Sequence, residues 1–131
     1  MAGELNLCRE RLEGALPRKV EEISGQNPYA CYQCGKCSAG CLFADHMDVL
    51  PNQVIRLVQL GDEGVAALRA PWVCAACLAC AVRCPRGVDI GKVMEALRVL
   101  ALRRGLTPAP LNLGDRYPQI ALVGAFRKFT P

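Results

Sequence analysis

Two cysteine runs of identical spacing constrain this chain more than any other feature of its sequence. Both follow the pattern C-x2-C-x2-C-x3-C, and the second ends in Cys-Pro. The first run consists of Cys31, Cys34, Cys37 and Cys41, and the second consists of Cys74, Cys77, Cys80 and Cys84. Three thiolates separated by two residues each can wrap one corner of a cubane, so this spacing is typical of 4Fe–4S cluster binding.

The fourth iron of each cluster needs a ligand from outside its own cysteine triplet. In two-cluster ferredoxins the fourth cysteine of each run binds the other cluster. The predicted ligand sets are therefore Cys31, Cys34, Cys37 and Cys84 for one 4Fe–4S cluster, and Cys74, Cys77, Cys80 and Cys41 for the other. This exchange ties the two runs together, so the clusters are expected to be part of the fold itself.

The length of 131 residues predicts one domain with tails. Nine cysteines would indicate disulfides in a secreted chain. The spacing of the two runs argues against disulfides, and residues 1–20 show charged positions but no apolar core of a signal peptide. We therefore expect a reducing, cytoplasmic location. No stretch is apolar over the length that a membrane span requires.

The formal net charge of +4 counts every cysteine as neutral. A loaded cluster with its four thiolates contributes roughly −2, so two clusters bring the protein close to neutrality. Residues 83–131 nevertheless contain nine Lys or Arg against three acidic residues. The basic residues are interpreted mainly as compensation for the clusters, and they are not evidence for nucleic-acid binding.

Helical periodicity surrounds the two runs. Residues 4–24 predict an amphipathic helix that is broken or kinked at Pro17. A second helix is predicted to begin at Pro51 and to end at Gly61, with Val54, Leu57 and Val58 on its inner face. Residues 120–128 predict a last short helix or an arm.

Two aspartates are predicted to begin helices as N-caps. Asp62 precedes a short helix through Leu68. Asp89 precedes a longer helix through Arg104, which Gly105 ends. The apolar face of the longer helix contains Ile90, Val93, Met94, Leu97, Leu100 and Ala101. Val99 and Leu102 lie on the opposite side, as stray apolar residues or as contacts for a partner.

The sequence contains an internal repeat. Each cysteine of the first run recurs 43 residues later, and the same offset relates Pro28 to Pro71 and Tyr29 to Trp72. Strand signals are scarce. We therefore predict an all-α domain of two pseudo-symmetric loop–helix halves around two clusters. The expected organisation is a docking helix at 1–24, a dicluster domain at 25–105, and a tail or docking arm at 106–131.

Several residues near or outside the runs have more than one interpretation. Cys8 is interpreted as a small buried residue rather than a ligand or a reactive thiol. His46 is interpreted as a solvated loop residue rather than a ligand or proton carrier. Lys36 and Arg83 either stabilise reduced clusters or are solvated charges. The small residues Gly35, Gly40, Ala75, Ala76 and Ala79 are expected to allow close approach of the backbone to sulfur.

Beyond the cysteines, the stretch SGQNPYACYQCGKC at 24–37 resembles the C subunit of heterodisulfide reductase. The segments Pro51–Gly61, Trp72–Cys74 and Cys84–Ile90 resemble the same family. The resemblance covers roughly residues 20–105 and places the chain with the alpha-helical ferredoxins, like the C-terminal half of the iron–sulfur subunit of succinate dehydrogenases. Leu42, where many ferredoxins have proline, and the tail depart from the family.

The resemblance implies two 4Fe–4S clusters bound by the eight cysteines of the runs. It implies a protein that relays electrons between an A-like subunit, which carries flavin and clusters, and a B-like catalytic subunit with CCG motifs. This chain has no Cys-Cys-Gly sequence. Disulfide cleavage is therefore expected on the partner, and this chain is expected to be a non-catalytic part of a hetero-oligomeric oxidoreductase.

Three alternatives remain at this point. The chain could be a freestanding ferredoxin-like carrier, or the iron–sulfur subunit of another flavin oxidoreductase. It could also be a structural zinc module that binds nucleic acid, since paired C-x2-C also suits zinc. Three cysteines in tandem register suit zinc poorly, and the aromatic residues that would stack on bases are few.

Overall fold

The regular structure of the chain is helical. A computed structural model of the protein describes residues 8–12, 14–106, 119 and 123. Helices and turns account for these residues, and no strand occurs among them. This confirms the all-α prediction. The expected arm at 120–128, most of the tail and the first seven residues of the expected docking helix lie outside the described residues.

Seven α-helices lie in this part of the chain: α1 (Arg9–Leu12), α2 (Ala15–Ser24), α3 (Lys36–Ala39), α4 (Pro51–Gln59), α5 (Ala70–Val73), α6 (Ala79–Arg83) and α7 (Ile90–Arg103). Three short 3₁₀ helices lie between them, at Pro28–Ala30, Ala44–His46 and Glu63–Ala67. Short helices thus flank or contain the cysteines, and the longer α2, α4 and α7 provide the packing surface behind them.

Helix α7 is the centre of the hydrophobic core. Its predicted apolar face is buried throughout, and α7 packs against α2, α4 and α5. Leu16 and Val20 of α2 contribute to the same core, as do Val54, Ile55 and Val58 of α4. Cys31, Cys74, Cys80 and Cys84 pack against this core while remaining partly buried. The core therefore supports both cysteine runs from one side.

The expected single helix at 4–24 is wrong in its break point. The structure has two helices, with Gly14 as the N-cap of α2, and α2 continues through Pro17 to Ser24. Pro17 is the third residue of α2, where a backbone N–H has no partner within the helix. Proline therefore fits this position without a kink, and the chain breaks before it.

The other helix boundaries follow the predictions closely. Pro51 begins α4, and Gly61 follows it with a left-handed φ of 68°. Asp62 accepts a hydrogen bond from the N–H of Gly64, although the helix after it is 3₁₀. Asp89 accepts one from the N–H of Lys92 at the start of α7.

The inner face of α4 differs slightly from the prediction. Ile55 is fully buried beside Val54 and Val58, whereas Leu57 is only half-buried. Leu57 instead borders a groove next to Leu60 and Leu68. Separately, none of the helices within the described ranges has the length and apolarity needed to cross a bilayer.

Candidate functional site

The two cysteine runs fold into loops of the same conformation. Gln33 and Gly35 have positive φ angles of 65° and 79° in the first run, and Ala76 and Leu78 have 54° and 66° at the equivalent positions of the second. Gly35 and Leu78 are the N-caps of α3 and α6. The repeat seen in the sequence is therefore a repeat of backbone geometry around the cysteines.

Cysteines of the second run surround a cavity together with one cysteine of the first. The cavity has about 420 Å³ of space free of protein atoms, part of it open to solvent. Its cysteines are Cys41, Cys74, Cys77 and Cys80. Apolar residues complete the wall, among them Phe43, Met47, Ile90 and Met94. These four cysteines are the set predicted for the second cluster; that they bind it stays a prediction.

Contacts between distant segments bring the end of the second run to the beginning of the first. The side chain of Arg86 donates to the carbonyl of Ala30 at 3.2 Å, and the backbone N–H of Asp89 donates to Gln26 Oε1 at 3.0 Å. Cys84 precedes Arg86 by two residues, and Cys31 follows Ala30. The fold thus places Cys84 on the side of the first triplet, as the predicted ligand exchange requires.

Hydrogen bonds reach two sulfurs of the first predicted set. The backbone N–H and the side-chain amide of Gln33 both donate to Cys31 Sγ at 3.4 Å. The backbone N–H of Val88 donates to Cys84 Sγ at 3.3 Å. Such bonds stabilise a thiolate, and hydrogen bonds to the sulfurs are one of the factors that set the potential of an iron–sulfur cluster.

Two thiols have raised pKa values. Burial is the main cause that raises the pKa of the Cys80 thiol to about 11, and the neighbouring Cys74 adds to the rise. Burial also raises the pKa of the Cys37 thiol, although hydrogen bonds with Ser38 partly oppose it. Both thiols are therefore protonated at neutral pH in the metal-free chain, and they release protons when a metal binds.

The donor set fits an iron–sulfur cluster. Eight soft thiolate donors lie in two repeated loops, and each iron of a cubane takes one of them. Within the described residues, no three His, Cys, Asp or Glu side chains are arranged around a position for a single metal ion. This arrangement differs from the closed tetrahedral site of four cysteines that holds structural zinc.

Three polar side chains that the sequence did not single out hold the loops in place. Asp48 accepts from the N–H groups of Arg69 and Ala70, at 2.8 and 2.9 Å, at the start of α5. Gln59 donates to the carbonyl of Cys31 at 2.9 Å. Arg98 donates to the carbonyl of Pro71 at 2.7 Å. Burial of polar residues on α4 and α7 was the only sequence signal available for the last two.

The expected role of the small residues is only partly met. A Cβ at Gly40 would collide with the guanidinium of Arg83, so this glycine makes room for an arginine rather than for sulfur. Gly35 has open space where a Cβ would lie, and its positive φ explains the glycine. Lys36 is exposed, as expected for a solvated charge.

The remaining candidates lie apart from the cavity. His46 is exposed at the end of a 3₁₀ turn, and Cys8 is half-buried before α1. Val99 and Leu102 are half-buried on α7. Leu42, directly after Cys41, is 83% exposed.

Comparison with known proteins agrees with this geometry. Residues 28–88 match the family model described as a 4Fe-4S dicluster domain. The chain is 33% identical over 87 residues to the C subunit of ferredoxin:CoB-CoM heterodisulfide reductase from Methanosarcina mazei, which covers 66% of this chain and 54% of that protein. These findings confirm the resemblance to the C subunit of heterodisulfide reductase.

Two other relatives extend the similarity in different ways. The C2 subunit of H(2)/formate:CoB-CoM heterodisulfide,ferredoxin reductase from Methanococcus maripaludis is 33% identical over 119 residues, or 88% of this chain and 64% of that protein. A second iron-sulfur C subunit, that of CoB–CoM heterodisulfide reductase from Methanocaldococcus jannaschii, is 37% identical over 76 residues, or 58% and 41%. The chain spans about half the length of the curated relatives that it matches.

Proposed function

Because residues 28–88 belong to the 4Fe-4S dicluster domain family, we propose that this chain is an electron-transfer subunit. It relays electrons through two 4Fe–4S clusters between an A-like flavin and iron–sulfur subunit and a B-like CCG-type subunit of a heterodisulfide-reductase-like complex. The observation that carries the proposal is the pair of repeated cysteine loops, one of which shares its cavity with Cys41 of the other. A bound 4Fe–4S cluster supplies a centre that takes up and releases single electrons.

The proposed ligands of the first cluster are Cys31, Cys34, Cys37 and Cys84, and those of the second are Cys74, Cys77, Cys80 and Cys41. The cavity lined by Cys41 supports the second set. The hydrogen bond between Arg86 and Ala30 supports the first set, because it holds the residues after Cys84 against the residue before Cys31. Each half of the chain thus completes the site of the other.

The chain itself is proposed to bind and tune the clusters and to carry out no step on the disulfide. It has no Cys-Cys-Gly sequence, so disulfide chemistry is assigned to the B-like partner. The N–H groups of Gln33 and Val88 reach cluster-binding sulfurs. Reducing conditions preserve free thiols, so a cytoplasmic location is proposed with the complex.

Exposed apolar residues next to the ligands are the proposed docking surface. Leu42 follows Cys41 and is 83% exposed, and Val82 lies between Cys80 and Cys84 and is 84% exposed. Large exposed apolar side chains mark interaction sites when they cluster. The charged residues of the two loops at 29–43 and 72–88 are basic, namely Lys36, Arg83 and Arg86. A partner surface with an apolar centre and an acidic rim therefore fits this face.

The test is anaerobic purification of the chain co-expressed with its chromosomal neighbours, followed by iron and sulfide analysis and EPR of the reduced sample. We expect about eight iron and eight sulfide per chain, with spectra broadened by two coupled reduced clusters. Co-purification of flavin-containing and CCG-type subunits is expected. A loaded chain that elutes alone would favour the freestanding carrier, and zinc or four iron would contradict the two-cluster proposal.

Serine variants test the exchanged ligands. Cys41→Ser is expected to perturb the EPR signal of one cluster, and Cys84→Ser that of the other. Cys8→Ser is the matched control, because Cys8 lies outside both runs and is expected to leave the iron content at the wild-type value. If both ligand variants perturb the same signal, the exchange is incorrect.

A further inference from the structure

The two halves of the chain repeat beyond the cysteine loops. The cysteines and the prolines before them recur at an offset of 43 residues, whereas α4 and α7 correspond at an offset of 39. The corresponding core pairs are Val54 with Val93, Ile55 with Met94, and Val58 with Leu97, and all six side chains are fully buried. Each half thus has an equivalent helix behind its cysteine loop.

One position of this repeat has a different charge in the two halves. Gln59 on α4 and Arg98 on α7 are 39 residues apart, and each is 6% exposed. Gln59 donates to the carbonyl of Pro28 at 2.8 Å, and Arg98 donates to the carbonyl of the equivalent Pro71 at 2.7 Å. The same clamp between helix and loop is therefore neutral in one half and cationic in the other.

The cationic clamp lies behind the second cavity. Ile90 and Met94 line that cavity, and Arg98 follows them on the same face of α7 at a spacing of four residues. Its partner Pro71 lies in α5, which leads directly into Cys74. The neutral clamp has the matching place in the first half, where Gln59 also donates to the carbonyl of Cys31.

A buried guanidinium requires compensation. Its charge is permanent, and an isolated buried charge is costly. Among the described residues, the partner that the structure gives Arg98 is a backbone carbonyl, whereas the nearby Arg104 pairs with Glu63 at 3.0 Å. A thiolate-bound cluster in the adjacent cavity would supply negative charge close to Arg98.

We propose that Arg98 is a positioning and tuning residue that raises the reduction potential of the cluster bound by Cys41, Cys74, Cys77 and Cys80. Reduction adds one negative charge, and a fixed positive charge in a low-dielectric interior stabilises the reduced form. Gln59 gives the first cluster no such charge. The two otherwise equivalent sites are therefore made electrostatically unequal. This inference rests on the proposed two-cluster function.

Other groups near the loops act on both sites and are not changed by this difference. Arg83, Arg86 and Asp48 are exposed, so solvent and salt screen their charges. The hydrogen bonds from Gln33 and Val88 reach sulfurs of the first set and also favour reduction there. The proposal therefore concerns the contribution of Arg98, which a substitution isolates from these contacts.

The experiment is an EPR-monitored redox titration of the anaerobic complex with Arg98→Gln, Arg98→Lys and Gln59→Arg. Glutamine occupies the equivalent position of the first half, so Arg98→Gln is expected to keep the clamp. We expect Arg98→Gln to lower one of the two midpoint potentials and to leave the other near its wild-type value. Arg98→Lys keeps the charge and is expected to retain most of the wild-type potential. Gln59→Arg is expected to raise the other midpoint potential.

The outcomes separate this inference from the proposed function. Eight iron in the wild-type complex supports two clusters whatever the variants do. With that iron content, unchanged potentials in Arg98→Gln, or equal shifts in Arg98→Gln and Arg98→Lys, would overturn the role of the charge. If Arg98→Gln loses iron, Gln59→Arg decides: no rise in either potential overturns the inference. Four iron in the wild type would overturn both conclusions.

Discussion

Leu78 shows how a single residue accommodates the cysteine loops. It has φ of 66°, a left-handed conformation that disfavours side chains with a Cβ, and its equivalent in the first half is Gly35 with φ of 79°. Leu78 is 54% exposed, so burial recovers only part of this cost. The loop geometry is thus retained in the second half despite an unfavourable residue.

Leu78→Gly is therefore expected to stabilise the loaded protein by about 1 kcal/mol. The reverse change at the equivalent position, Gly35→Leu, is expected to destabilise it by a similar amount, because Gly35 has open space for a Cβ but the wrong φ. Anaerobic denaturant unfolding of the loaded chain measures both. A loss of stability in Leu78→Gly would show that its side-chain contacts outweigh the backbone strain.

The thiols themselves are expected to differ in reactivity when iron is absent. Cys34 and Cys77 are exposed, whereas burial raises the pKa of Cys37 and raises that of Cys80 to about 11. The thiolate is the nucleophile, so iodoacetamide at a mildly alkaline pH is expected to modify the two exposed cysteines first. Time-resolved peptide mass spectrometry measures the order. Uniform labelling would show that the metal-free loops do not keep this arrangement.

At the level of elements, one aspartate connects the two cysteine loops. Asp48 lies between the runs in sequence and accepts two hydrogen bonds at the start of α5, from Arg69 and Ala70. It also accepts from the N–H of Val49 at 2.9 Å. A carboxylate at a helix start satisfies N–H groups that have no partner in the helix. Asp48 thus acts as a long-range cap for the helix before Cys74.

Asp48→Ala is expected to destabilise the loaded protein by about 1 kcal/mol, the usual cost of losing a cap. Asp45→Ala is the matched control, because Asp45 is exposed on the adjacent 3₁₀ turn. Thermal unfolding under anaerobic conditions compares the two variants. Equal midpoints for Asp48→Ala and the control would contradict the capping role.

At the level of the whole molecule, the cysteine loops face outward while their supporting helices share one core. Val82 and Leu42 are the most exposed large apolar residues of the described part, and both adjoin ligand cysteines. An electron carrier needs its clusters close to a partner's redox centre. The outward face of the loops is therefore where the complex is expected to form.

Val82→Asp and Leu42→Asp are each expected to weaken assembly with the partner subunits roughly tenfold or more, since a carboxylate would replace an apolar contact and oppose an acidic rim. Leu106→Asp is the control, because Leu106 lies beyond the end of α7 and is 39% exposed. Co-purification yield and a binding titration of the loaded chain measure the effect. Equal loss in all three variants would place the interface elsewhere.

The sequence alone was sufficient for the features that depend on neighbouring residues. Cysteine spacing predicted the two loops, and the N-caps Asp62 and Asp89 and the helix end at Gly61 follow local patterns that the structure reproduces. These predictions succeed because caps, turns and amphipathic faces are decided within a few residues along the chain. The break before α2 was misplaced because proline is compatible with a first turn as well as with a kink.

Only the tertiary structure revealed which distant residues meet. Asp48 reaches Ala70 over 22 residues, Arg98 reaches Pro71 over 27, and Gln59 reaches Pro28 over 31. The shared cavity of Cys41 with the second run depends in the same way on how the halves pack. No local pattern encodes such contacts, because they arise from the path of the connecting chain and the packing of α4 and α7 in one core.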